Sequence, residues 1–70
     1  MVEVRVEITA SVWQVVVVEG QEVAAGDPIV VLESMKMEIP VEAPVAGRVV
    51  QVVVSPEDQV AEGDLVAVIE

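Results

Sequence analysis

The chain has 70 residues, 54% of them hydrophobic but only 1% aromatic, with Val dominant and Trp13 as its sole aromatic side chain. Thirteen acids against three bases leave a net charge of −10, which repels phosphate backbones and anionic lipid surfaces and argues against nucleic-acid or membrane binding. Without Cys or His, disulfides, thiolate chemistry, the commonest metal ligand and the usual general base are all missing.

The first residues, MVEVRVEI, lack the basic region and apolar block of a signal peptide. No apolar run approaches the roughly 18 residues that span a bilayer. The expectation is a soluble, cytoplasmic, free-standing single domain over residues 1–70 with a β-rich core of small branched side chains.

Val2, Val4, Val6 and Ile8 alternate with Glu3, Arg5 and Glu7, the period-two pattern of a half-buried strand, and predict a strand over 2–8. Further strands are predicted over 12–18, 28–33, 37–42, 48–54 and 65–69. Pro28, Pro40, Pro44 and Pro56 then belong at strand starts, edges or loops, because each lacks a ladder donor. Helical spacing is absent and the β-branched density is high, so no helix is expected.

Sliding the chain by 37 positions superposes Ala10–Glu33 on Gly47–Glu70 without a gap, with 11 of 24 pairs identical. Val pairs carry little weight in a Val-rich chain. Gly26-Asp27 and Gly63-Asp64 carry more: each glycine suits a turn position with φ > 0, and the Asp after it can bond nearby backbone. Two quasi-equivalent halves, neither able to bury its own apolar face, would bury them against each other. Trp13 is expected in the core or partly covered at the surface.

Lys36 is the only lysine, and it lies in Glu33-Ser34-Met35-Lys36-Met37-Glu38. Counting outward from a two-residue loop at Met35-Lys36 pairs Ser34 with Met37, Glu33 with Glu38 and Leu32 with Ile39, which predicts a hairpin with an exposed Lys36 at its tip. Both loop residues would need φ > 0, a poor choice for Met and Lys, and Glu33 would face Glu38 as a like-charge pair. Local rules broken together at one place point to a site.

These residues resemble the biotinyl/lipoyl attachment domains, and among them the biotin carboxyl carriers. Met35-Lys36-Met37 matches the family's Met-Lys-Met hairpin tip, Ala43-Pro44-Val45-Ala46-Gly47-Arg48-Val49 its A-P-x-x-G-x-V, and Glu19 to Asp27 its acidic loop. The resemblance implies a flattened β-barrel or sandwich of two four-stranded antiparallel sheets with a quasi-twofold internal repeat, the lysine hairpin standing opposite the chain termini. It implies biotin attached covalently to Lys36, with Met35 and Met37 read by the ligase and Glu33, Ser34 and Glu38 forming the hairpin rim. Its implied partners are a biotin protein ligase, a biotin carboxylase and a carboxyltransferase, the chain being a carrier and not itself an enzyme. Thr9-Ala10-Ser11 departs from the Pro-Gly-Thr of many carriers, and Ser34 stands where Ala is common. The alternatives are a lipoyl domain, whose tip reads Asp-Lys-Ala or similar, and an unmodified β module that binds protein through its edge strands.

Overall fold

The computed structural model describes residues 1–70. Eight strands follow one another: β1 (Val2–Arg5), β2 (Ala10–Val15), β3 (Glu22–Val23), β4 (Pro28–Ser34), β5 (Met37–Glu42), β6 (Gly47–Val52), β7 (Gln59–Val60) and β8 (Leu65–Ile69). They pair into two four-stranded sheets, in the orders β1-β8-β6-β3 and β5-β4-β2-β7, with every pairing antiparallel.

The 37-residue repeat explains that order. Adding 37 carries β1, β2, β3 and β4 onto β5, β6, β7 and β8, so the operation exchanges the two sheets strand for strand. Each sheet therefore draws strands from both halves, so neither half can fold without the other. The backbone obeys the same operation at loops: Val12 N–H donates to Asp58 O at 2.8 Å, and Val49 N–H to Gln21 O at 2.9 Å.

Between the sheets lies an aliphatic core in which Ile29, Leu32, Ile69, Val12, Val30, Val49 and Val66 are the largest fully buried side chains. Each contributes on the order of 1.5–3 kcal/mol by leaving water. No buried side chain is polar or charged, so no hydrogen-bonding partner has to be found inside.

Both Gly-Asp turns form as the sequence requires. Gly26 and Gly63 take φ of 92° and 91°. Asp27 Oδ2 accepts the Ala24 N–H at 2.9 Å, and Asp64 Oδ2 accepts the Ala61 N–H at 2.8 Å. A second pair of turns is less even. Gly20 has φ 92°, whereas its repeat counterpart Glu57 has φ 77° and carries a Cβ into the same left-handed region. Replacing Glu57 with Gly should therefore stabilise the fold by about 0.5–1 kcal/mol, the relief of left-handed strain outweighing the extra entropy of an unfolded glycine. Chemical denaturation of the two proteins measures the difference.

Several strand limits differ from expectation. The first strand ends at Arg5 and not at residue 8, because the register with β8 shifts between Val4 and Arg5. Strands expected over 12–18 and 48–54 run over Ala10–Val15 and Gly47–Val52. Two strands escaped the alternation pattern altogether: β3 and β7 have only two residues each. Pro28 opens β4, Pro40 lies on the edge strand β5, and Pro44 and Pro56 lie in loops. No helix is long and apolar enough to cross a membrane.

Candidate functional site

The hairpin of β4 and β5 keeps its register up to the tip. Leu32 pairs with Ile39, Glu33 with Glu38 and Ser34 with Met37, which leaves Met35 and Lys36 as a two-residue turn. Both take positive φ, 53° for Met35 and 66° for Lys36, as the tight turn that matches strand twist demands. Neither residue type favours that region, and the cost is about 1–2 kcal/mol for each.

The strands beneath hold the strained turn in place. Leu32 is fully buried and Ile39 packs against the core, while Glu33 and Glu38 face water. Slipping the hairpin by one residue would expose Leu32 and drive Glu33 inward. The turn cannot migrate along the chain.

Lys36 stands out in solvent with no hydrogen bond or ion pair to any other side chain. The other two cationic side chains are both engaged: Arg5 with Glu3 at 2.8 Å and Arg48 with Glu22 at 3.6 Å. Met35 and Met37 flank the lysine at 93% and 65% exposure. Methionines so placed fill no core gap; they present polarisable apolar surface beside the amine. Ser34 is half-buried at the neck of the turn.

Termini and tip lie at opposite ends of a body measuring 31 × 17 × 17 Å. From the tip β5 runs down to Glu42, residues 43–46 turn over, and β6 begins at Gly47 and Arg48, where the Arg48 N–H donates to Glu70 O. Val2 pairs with Ile69 at that same lower end. The Met1 α-amine, the chain's only other primary amine, is therefore remote from Lys36.

The larger of two surface grooves, about 580 Å³, runs between edge strands β1 and β5. Val4, Ile8, Leu32, Ile39 and Val41 line it, and Lys36 does not. The amine is displayed on a post and not enclosed with a substrate. The six residues singled out in the sequence, Glu33 to Glu38, are thus gathered at one end of the molecule. Of the two places expected for Trp13, the structure shows the partly covered surface one: it is 49% exposed on the sheet that carries the lysine hairpin. Its signal in the sequence was its isolation, a lone aromatic among aliphatics.

Residues 3–69 match the biotin/lipoyl family model described as "Biotin-requiring enzyme". A "Biotinylated protein TB7.3 homolog" of Mycobacterium leprae is 64% identical over 45 residues, covering 64% of this chain and 63% of that protein. A "Biotin/lipoyl attachment protein" of Bacillus subtilis is 39% identical over 44 residues, covering 63% of this chain and 60% of that protein. The matched segments thus span less than two thirds of these relatives. Among solved structures, the Kluyveromyces lactis urea carboxylase superposes with a TM-score of 0.93 at 38% identity over 99% of this chain and 6% of that one. A lipoyl domain of the 2-oxoglutarate dehydrogenase complex from Azotobacter vinelandii superposes at 0.81 over 100% of this chain and 96% of that one. Its identity is 20%, a likeness of fold alone.

Proposed function

The chain belongs to the biotin/lipoyl attachment family, whose model matches it from residue 3 to residue 69, and on that premise we propose that it is a biotin carboxyl carrier loaded at Lys36. One observation carries the reading: the only lysine is an unpaired, exposed amine locked on a two-residue turn between two exposed methionines. The relatives named as biotinylated protein or biotin/lipoyl attachment protein lend it support.

The residues present fit the group. Amide formation needs a primary amine that another protein can surround, and Lys36 meets that need without moving any neighbour. A biotin protein ligase would present the acyl-adenylate; the uncharged ε-amine attacks its carbonyl carbon, the nitrogen loses a proton and AMP leaves. The ligase supplies the activation, because no side chain of the hairpin hydrogen-bonds or pairs with the Lys36 amine. Met35 and Met37 offer it apolar grip on either side, and Glu33, Ser34 and Glu38 form the rim below.

Biotin, when attached, supplies a ring nitrogen that carries carboxylate between a biotin carboxylase and a carboxyltransferase. The chain's own residues do three things: Lys36 tethers, the Met35-Lys36 turn fixes the point from which the tether swings, and the buried Leu32 and Ile39 keep that point rigid. Tethering makes each visit effectively intramolecular, so the carrier can bind its enzymes weakly and still deliver. The cytoplasm, where ATP and bicarbonate are at hand, is the proposed place of work.

Lipoyl and biotinyl carriers share this fold, and the side chains beside the lysine distinguish them. Intact mass of protein from cells supplied with both vitamins should show a biotinyl adduct; a lipoyl adduct would overturn the reading. Changing Met35→Asp together with Met37→Ala should slow biotin transfer by at least about tenfold while shifting stability by less than about 1 kcal/mol, as expected for exposed positions. Ligase assays and thermal melts on the same preparations separate the two effects.

A further inference from the structure

The quasi-twofold repeat gives the two sheets the same backbone and very different outer faces. On the β1-β8-β6-β3 sheet, Arg5 and Arg48 are each paired with a glutamate, so charge is balanced there. Adding 37 to Glu3 and Arg5 gives Pro40 and Glu42 on the other sheet, and subtracting 37 from Arg48 gives Ser11. The face carrying the lysine hairpin therefore has lost both arginines. Its outward residues include the acids Glu33, Glu38 and Glu42 and no basic side chain on any strand.

That face also holds an apolar strip. Val31 on β4 pairs with Pro40 on one side and with Gln14 on the other, and Trp13 is the extra residue where the β2 register shifts between Val12 and Gln14. A bulge of this kind re-aims a side chain. Val12 stays in the core at 1% exposure while Trp13 is 49% exposed. The counterpart of Trp13 is Val50, at the equivalent register shift of β6. A half-exposed Trp in an apolar strip with an acid rim has the composition of a binding hot spot.

We infer that this face, centred on Trp13, is the surface by which the carrier docks on the biotin carboxylase subunit, whose matching surface has an apolar pocket for the indole rimmed by lysine or arginine. The inference rests on the carrier reading. Charge complementarity selects the occupant: a chain of net charge −10 repels its own copies, whereas a basic surface is attracted to three acids with no base among them. Trp13 and Lys36 share one sheet, so a partner gripping the Trp13 face has the lysine hairpin at its edge.

The test uses the full chain, biotinylated, titrated by calorimetry into the purified biotin carboxylase subunit of the source cell. Trp13→Val copies its repeat counterpart and so preserves the strand. It should raise Kd at least about tenfold while intact mass shows the same biotin loading as wild type. Glu42→Arg, which copies Arg5, should weaken binding several-fold and flatten its salt dependence. Val50→Ala on the opposite face should bind as wild type does. Equal Kd for wild type and Trp13→Val, or equal losses for Trp13→Val and Val50→Ala, would overturn the docking face and leave the carrier reading standing. A Trp13-dependent dimer in sedimentation would show the occupant to be a second copy and overturn it too. Absence of biotin from wild-type Lys36 would remove the carrier reading and the docking face together.

Discussion

Lys36→Arg should yield a folded protein that streptavidin no longer captures, when wild-type chain expressed beside the same ligase and biotin is captured in full. The fold should be indifferent because Lys36 makes no side-chain hydrogen bond or ion pair. Arginine keeps the positive charge and a long flexible stem, and it meets the same left-handed φ of 66°. A surface change of this kind shifts stability within about 0.5 kcal/mol. Chemistry should be lost outright, because a guanidinium stays protonated at any working pH and offers no free amine lone pair to attack an acyl-adenylate. No second lysine can substitute, and the α-amine of Met1 lies at the opposite end of the molecule. The matching observation is a single mass for the variant, equal to that of the bare chain, and a melting curve that overlays the wild type. Capture of Lys36→Arg would place the label elsewhere and remove Lys36 from the site.

The hairpin was the most legible part of the chain. Its register follows from one constraint, that Leu32 and Ile39 must face inward while Glu33 and Glu38 face water, and the two-residue loop is what remains between Ser34 and Met37. The Gly-Asp turns were legible for a similar reason: a left-handed φ and an Asp carboxylate closing on the backbone three residues earlier are local requirements. Strand ends were not local. Val15 to Val18 reads as unbroken strand, yet β2 stops at Val15 because its partner β4 begins at Pro28, and the last such bond runs from the Val16 N–H to Ile29 O. Pairing decides where a strand ends, and the partner is distant in sequence. The strands β3 and β7 are too short to show any period, and the repeat alone ties them together. Trp13 was left open between core and partly covered surface because alternation assumes an unbroken pleat; at a bulge two successive residues oppose one, and nothing in Val-Trp-Gln-Val announces the extra residue.

Gly47→Ala should be the most damaging single-methyl change in the chain. The conformation of Gly47 is not left-handed, so the glycine is not there for backbone freedom. It is there for space: a Cβ at this position would collide with the Glu70 carbonyl oxygen and come within 2.8 Å of Ile69 Cγ2. Neither neighbour can give way cheaply. The Glu70 backbone is held by two bonds to Arg48, its N–H donating to Arg48 O at 2.8 Å and its carbonyl accepting from Arg48 N–H at 3.2 Å, while Ile69 is fully buried in the core. The repeat supplies the contrast: position 10, the counterpart of Gly47, carries an alanine, and Ala10 is buried in the core cluster. Overpacking a clamped site costs about 1–3 kcal/mol. In a domain of this size each kcal/mol lowers Tm by roughly 4–8 °C, so the variant should melt on the order of 10–20 °C below wild type. Because the damage falls at the end remote from Lys36, folded Gly47→Ala at low temperature should still accept biotin at the wild-type rate. A variant as stable as wild type would mean that β6 and β8 can separate freely at Gly47, and the close approach of these strands would then not be what requires glycine there.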